Sequence, residues 1–504
     1  MINITSIVRP FFQKRMAEMN SFLNNGEMIQ RKLLSSLTTT AQNTEIGRKY
    51  GFSEIKENYR LFAERVPVID YEGLKPYVER MLAGEQNLIW SSNIEWFAKS
   101  SGTTNDKSKY IPVSKEALRD CHYKGGKSSV ASYFNLNPKS RLFDGKALIL
   151  GGSHEISNFE GGYRCGDLSA ILIQNIPQLA NYMRVPSKDI ALMSEWESKL
   201  EKIAATTVNE NVTSLSGVPS WFMVLIKKIL HDNGKQYLTE IWPNLELFFH
   251  GGISFAPYRE QYKRLIPSDK MFYIETYNAS EGFFAIQNSL DERTMLLLID
   301  LGIFYEFIPL SEIDSDNPKV LPYWEVEKGE NYALVITTNS GLWRYIIGDT
   351  VKVESVNPVK ITISGRVKHF INAFGEELMV ANADKGLAKA CSETGAVISN
   401  YTAAPVFMSE GSRGRHQWLI EFDREPSSLE EFANILDASL QDINSDYEAK
   451  RYKGIALDRL EVVVARKGLF EDWLRLKGKL GGQHKIPRLS NERNYIEDML
   501  KLNK

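Results

Sequence analysis

Apolar residues recur every three or four positions through FFQKRMAEMNSFLNNGEMIQRKLLSSL, with polar residues between them. That spacing predicts helices over roughly the first sixty residues. Further on the period shortens. KALILGG, LELFFHGG, KMFYIETY and NYALVITT are compact apolar runs ending in glycine or hydroxyl-bearing residues, as strands do. PSWFMVLIKKILHDNGKQYLTEI lies among them with helical spacing. Strands alternating with helices predict a large α/β domain. The stretch 309–329, PLSEIDSDNPKVLPYWEVEKG, is polar and carries several prolines, so a surface connection is expected there. Past ITISGRVKHFINAFGEE come a strand candidate HQWLIEFD, a helix candidate SLEEFANILDASLQDI and a further strand RLEVVVA. This remainder predicts a smaller α+β domain. The boundary is expected near Gly365, giving a large domain over 1–364 and a small one over 365–504. No internal repeat or low-complexity tract interrupts the pattern.

Composition narrows the class. The 504 residues exceed the roughly 250 to 300 at which single cores stop growing, which agrees with two domains. Lys and Arg number 61 against 63 acidic residues, so no global positive field exists to gather nucleic acid or anionic lipid. Any phosphate chemistry is therefore local. Cys121, Cys165 and Cys391 form no CxxC pair, and the seven histidines show no HExxH spacing, which argues against a disulfide framework or a zinc site. No run approaches the about 18 to 20 apolar residues of a membrane span, and the N-terminus is charged early without an apolar core and cleavage site. The expectation is a soluble, cytoplasmic protein with no membrane and no nucleic-acid partner.

Three stretches carry candidate chemistry. In KSSGTTNDKSK, Ser100, Ser101, Thr103 and Thr104 offer hydroxyls, Gly102 lets backbone amides approach a ligand, and Lys107 or Lys109 supplies charge. Together they describe a phosphate cradle distinct from the GxxxxGK[ST] loop; a polar turn between two strands is the plainer alternative. In IETYNASEG an apolar strand runs into Tyr277, Asn278, Ser280 and Glu281. Ligands of open α/β sheets bind beyond carboxyl ends of strands, so an aromatic for a base and a carboxylate for magnesium fit there, as does an exposed turn with a buried tyrosine. In TTNSGLWRYIIGDTVKV, Asp349 follows Gly348. A carboxylate there could accept both hydroxyls of a ribose; Gly-Asp is also a common turn. His250 in FFHGG could contact substrate or deprotonate an amine, or be a hydrogen-bonded histidine at a strand end.

In this order, SSGTTNDKSKYIP, YNASEG and LWRYIIGD resemble the three nucleotide motifs of the plant auxin-responsive acyl acid amido synthetase (GH-three) family, within the adenylate-forming, firefly-luciferase-like superfamily. LSGVPSWF, FFHGGISFAPY and GGQHKIPRL extend the resemblance through nearly the whole chain, which is shorter than typical plant members and so suggests a bacterial one. The resemblance implies a large adenylation domain with a smaller mobile C-terminal domain. It also implies ATP and Mg2+, adenylation of a small-molecule carboxylic acid with release of pyrophosphate, and transfer of the acyl group to the amine of an amino acid.

Residue by residue, Ser100, Ser101, Thr103, Thr104 and Lys109 fall on the phosphate loop around Gly102, although Asn105 and Asp106 stand where many members have a small residue and glycine. Tyr277 falls on the adenine contact, Ser280 on the hydroxyl near the α-phosphate, Glu281 on the magnesium carboxylate and Asp349 on the ribose aspartate. Arg366 and Lys368 resemble the hinge motif of the superfamily, where Asn372 replaces a common lysine, and Lys485 falls in the segment carrying the mobile catalytic lysine. Val218, Trp221 and Phe222, with His250, are candidates for the acyl pocket, although one face of the amphipathic helix they start must be core. Residue types fit an amine or a thiol acceptor such as coenzyme A equally, and the resemblance favours nitrogen. A catalytically idle nucleotide sensor is the remaining alternative, as a monomer or homodimer like the enzyme.

Overall fold

The computed structural model describes residues 4–100, 109–151, 157–158, 163–252, 255, 258–313, 315, 317–366, 370–371, 373, 376, 378–406, 414–444, 447–448, 451, 457–478, 486–490 and 492–504. The chain divides into two compact units. The first comprises Met1–Ile253, Arg264–Ile347 and Val351–Thr362; the second comprises Ser254–Lys263, Gly348–Thr350 and Ile363–Lys504. Two short segments of the earlier chain thus join the later unit, which a single cut in sequence does not anticipate.

The first unit begins with helices Ile4–Asn20 and Phe22–Ala41, in the region where the periodicity places them. The second of these buries Leu34, Leu37 and Ala41 on one face. Its Gln30 side chain is buried and commits every polar atom to strand Ile303–Pro309 and the turn before it, donating to the carbonyls of Ile299 and Ile303 and accepting from the amide of Tyr305. A buried amide so paired costs little and fixes the helix in register on the sheet.

That sheet has twelve strands. In chain order they are β1 (Lys146–Ile149), β2 (Arg184–Val185), β3 (Val212–Gly217), β4 (Leu247–His250), β5 (Phe272–Ala279), β6 (Gly282–Gln287), β7 (Met295–Leu297), β8 (Ile303–Pro309), β9 (Leu321–Pro322), β10 (Asn331–Thr338), β11 (Tyr345–Val356) and β12 (Val359–Arg366). Their spatial order is β9-β8-β10-β11-β12-β7-β6-β5-β4-β3-β1-β2. From β2 to β5 every pairing is parallel, and β5–β6, β6–β7, β7–β12, β8–β9 and β8–β10 are antiparallel. Of the parallel strands, β1 (KALI) and β4 (LFFH) read as short apolar runs, as strands covered on both faces do, whereas β3 (VTSLSG) carries hydroxyls between its apolar residues.

Two expectations need correction. The helix opening at Pro219 ends at Asp232 instead of running on to Ile241, because Asn233 and Gly234, the latter at φ 60°, break it. The segment 309–329 is more than a surface connection. Leu321–Pro322 pairs with β8 at the sheet edge, and Leu321, Tyr323 and Val326 are buried. Proline suits an edge strand, and the apolar cluster VLPYW has a core to enter.

A separate four-stranded sheet contains the hairpin Trp96–Ser100 and Lys109–Val113, in which Ser100 pairs with Lys109. The second unit is built on strands β13 (Val397–Val406), β14 (Arg415–Arg424) and β15 (Glu461–Ala465), antiparallel and then parallel. Helices Val380–Thr394 and Leu429–Ile443 pack together, Gly386 of the first lying against Leu436 and Leu440 of the second. The segment after FFHGG joins this unit through Tyr258, whose hydroxyl donates to the Ser399 carbonyl (3.0 Å), and Gln261, which donates to Asp423 (3.0 Å).

Candidate active site

Register gathers the first unit's candidates at one end of the sheet. Ile149 of β1 pairs with Ser216 of β3, Gly217 with His250 of β4, and His250 with Glu275 of β5. The strands are therefore level where Ile149, Gly217, His250 and Glu275 stand, and Val218, Trp221, His250, Tyr277, Ser280 and Glu281 lie at or just beyond that level. That edge of an open α/β sheet is where ligands bind.

Ser280 and Glu281 form the turn between β5 and β6, since Ala279 pairs with Gly282. Ser280 is buried, and Glu281 at the tip is half-buried. Tyr277 is 5% exposed, and its ring lies 4.8 Å from that of Phe284, so most of it belongs to the core. His250 is 1% exposed. Its ring meets Phe248 edge-on at 5.6 Å, and its carbonyl accepts the hydroxyl of Thr276 at 3.2 Å. Phe222 is wholly buried with its ring 5.2 Å from Phe248, and Gly217, at φ 154°, passes so close that a Cβ there would meet the Phe222 ring at 3.0 Å. Of the four acyl-pocket candidates, Val218 and Trp221 keep exposed surface while Phe222 and His250 sit behind them in the core.

The phosphate-loop candidates Ser101, Gly102, Thr103 and Thr104 lie outside the described residues, as does the side chain of Ser100. What the hairpin shows is their frame: the loop closes an antiparallel pair ending at Ser100 and Lys109. The ammonium of Lys109 stands 5.5 Å from the ring centroid of Tyr71, whose hydroxyl accepts the amide of Tyr110 at 2.9 Å.

Asp349 is 6% exposed and follows Gly348, which holds φ 84° inside β11. Next to it the Thr350 hydroxyl accepts from Ser364 at 3.1 Å. Arg366 ends β12 with its side chain outside the described residues, and Lys368 and Lys485 also lie outside them. Among the described residues no group of three or more His, Cys, Asp or Glu could hold a metal, and no helix is long and apolar enough to cross a membrane.

Two positions escaped the reading of the motifs. Cys121, on the π-helical turn Ala117–Tyr123, accepts the amide of Phe283 just beyond Glu281. π-Helical turns are frequent at functional sites, and nothing in the local sequence announces this one. Arg344 stands within LWRYIIGD, and its side chain is only 6% exposed. An arginine in an apolar, aromatic run is itself a signal, because burying a guanidinium is costly unless a carboxylate or several acceptors meet it.

The fold is shared with solved structures of an acyl acid amido synthetase and a CoA ligase. A GH3.15 acyl acid amido synthetase superposes with a TM-score of 0.81 at 18% identity, covering 97% of this chain and 96% of that one. A 2-hydroxyisobutyryl-CoA ligase in its postadenylation state superposes with a TM-score of 0.59 at 12% identity, covering 94% and 91%. The family is particular: residues 15–271 match the GH3 family N-terminal domain, 296–366 its central domain and 381–494 its C-terminal domain, and the chain belongs to the GH3 family. The 4-substituted benzoates-glutamate ligase GH3.12 of Arabidopsis thaliana is 22% identical over 95% of this chain and 94% of its own.

Proposed function

We propose that this protein is an ATP-dependent acyl acid amido synthetase that adenylates a small-molecule carboxylic acid and passes the acyl group to the amine of an amino acid. The observation that carries this reading is the match to all three GH3 domains together with the retained Ser100–Lys109, Tyr277–Glu281 and Gly348–Asp349 motifs.

A carboxylate is a poor acylating agent because its leaving group would be oxide. In the first half-reaction its oxygen attacks the α-phosphorus of ATP and pyrophosphate leaves. Charge develops on both phosphates, and preorganised donors aimed at it supply most of the rate. The hydroxyls and amides of Ser100 to Thr104 with Lys109 cradle the phosphates, Ser280 lies by the α-phosphate, Tyr277 offers an edge to the adenine and Asp349 accepts the ribose hydroxyls. Val218 and Trp221, backed by Phe222 and His250, wall the acid. Magnesium keeps most of its oxygen shell from water and nucleotide and needs only one or two protein carboxylates, so half-buried Glu281 at a turn tip fits it. When bound, the ion would neutralise charge on the departing pyrophosphate.

In the second half-reaction the amine attacks the acyl carbon, loses a proton and releases AMP. No protein nucleophile is needed. The domain over 1–364 holds ATP and acid. The domain over 365–504 turns about Lys368 near Arg366, bringing Lys485 in for adenylation and withdrawing it for the acceptor.

Carboxylate-dependent exchange of labelled pyrophosphate into ATP tests this, with pooled aryl, indolyl and fatty acids and Asp349→Ala as blank. Exchange above the blank, followed by amide product with an amino acid and none with coenzyme A, is expected. Exchange with thioester as the only product would make it a thiol ligase. No exchange with ATP binding intact would leave the nucleotide sensor.

A further inference from the structure

Arg344 holds a conformation that few residues other than glycine adopt, φ 45°, at the entrance to β11. Every polar group it has is committed. Its amide donates to the Thr337 hydroxyl (2.9 Å) and its carbonyl accepts from Ile69 (3.0 Å). The guanidinium grips both oxygens of Glu306 on β8 through Nε, each at 3.1 Å, and donates to the carbonyls of Ala63 (2.9 Å) and Val66 (2.7 Å). Glu306 is wholly buried and takes a further bond from the Tyr59 hydroxyl at 2.9 Å. Burial and, after it, the neighbouring Glu306 charge push the Tyr59 hydroxyl well up, so it remains a donor.

This is an unusual outlay at one residue. Strained backbone persists only where its surroundings over-determine it, and a buried ion pair is weak evidence for stability but good evidence for a specified geometry. What lies downstream is short: Tyr345 bridges to Ile69, the Ile346 amide donates to the Ile69 carbonyl at 2.9 Å, and Gly348 and Asp349 follow.

We propose that Arg344, clamped by Glu306, Tyr59 and Thr337, is a positioning residue for nucleotide binding: it sets the direction in which β11 delivers Asp349. The proposal rests on the reading of Asp349 as the ribose ligand. It assigns to Arg344 no contact with substrate.

The test measures the dissociation constant for an ATP analogue that cannot be cleaved at the α-phosphate, with a melting curve for each variant. Arg344→Lys keeps the charge and loses the fork. Thr337→Val removes only the acceptor of the Arg344 amide, and decides the matter should Arg344→Lys not fold. Asp300→Asn, which breaks the separate pair with Arg15, is the control for simple destabilisation. We expect the dissociation constant to rise about tenfold in Arg344→Lys and about threefold or more in Thr337→Val, as for a small misplacement of a binding group, with the KM for acid unmoved. Asp300→Asn is expected to melt earlier with unchanged nucleotide affinity. Affinities within twofold of wild type in both clamp variants, with only the melting temperature lowered, overturn the proposal. Loss of affinity in Asp349→Ala alongside that result leaves the ribose reading standing; unchanged affinity in Asp349→Ala removes both.

Discussion

The sulfur of Cys121 accepts the backbone amide of Phe283 at 3.2 Å, tying a π-helical turn to the strand that leaves the Ser280–Glu281 turn. One turn further along the same helical run, Gly125 faces the Phe283 ring so closely that a Cβ would collide with it, while Gly126 has nothing within 4 Å. Two adjacent glycines therefore make opposite predictions. Gly126→Ala should stabilise by about 0.5–1 kcal/mol, since glycine in a helix interior costs that much. Gly125→Ala should cost about 1–3 kcal/mol by overpacking. Because the displaced ring sits on the strand after Glu281, it should also raise the magnesium needed for half-maximal pyrophosphate exchange. Thermal melts and a magnesium titration of both variants check this. A neutral Gly125→Ala would mean that the helix and the strand can part without loss.

The proposed roles within the nucleotide site can be separated by experiment. Asp349→Ala should weaken ATP binding, whereas Lys485→Ala should slow adenylation and leave ATP affinity within a few fold, because on the proposed reading Lys485 acts in the transition state and not on the resting complex. Glu281→Gln should raise the magnesium requirement. Equal loss of ATP affinity in the first two variants would abolish the division of labour, and an unchanged magnesium titration would remove Glu281 from the metal.

Gly348 carries Asp349 at φ 84° with nothing near enough to obstruct a side chain. Substitution there is limited by backbone alone. Gly348→Ala should cost about 1–2 kcal/mol, the penalty for an L-residue in the left-handed region. Asn tolerates that region better, so Gly348→Asn should keep more of both stability and ATP affinity. Equal effects of the two would show that the space around the turn, and not its dihedral, is what matters.

What the sequence disclosed follows from the range of each signal. Strands such as β5 and β10 were legible because an apolar run of strand length is a local fact, and the three motifs because each is contiguous. Arg344 was missed although an arginine among aromatics stands in the motif itself, because its partners Glu306, Tyr59 and Thr337 come from other elements and only the fold brings them together. The edge strand Leu321–Pro322 was hidden by its prolines, which signal a connection locally and an edge strand only once β8 is there to pair with. The π-helical turn at Cys121 is one inserted residue's worth of geometry, which no hydrophobic period of 3.6 reveals.

His122, next to Cys121 on that turn, is buried, and among the described residues its Nδ1 has no partner. Burial alone lowers its pKa from 6.5 to about 4. Between those values the unfolded chain binds a proton at this residue that the folded chain does not, so stability is full above pH 6.5 and falls as the pH drops toward 4. At pH 5 the loss from this one group is about 2 kcal/mol relative to pH 8. Carboxylates held low by their partners, such as Asp300 beside Arg15, add their own loss only nearer or below the ordinary carboxylate range. The difference between wild type and a variant without this imidazole isolates the histidine from the other groups that titrate in the same window, such as buried Glu421, which burial pushes up. His122→Gln, which cannot take the proton, should lose about 2 kcal/mol less than wild type between pH 8 and pH 5 in denaturant titrations, even where its stability at pH 8 is lower. Parallel pH profiles for the two proteins would show that His122 accepts its proton without unfolding, and that water or a neighbour reaches it in the folded state.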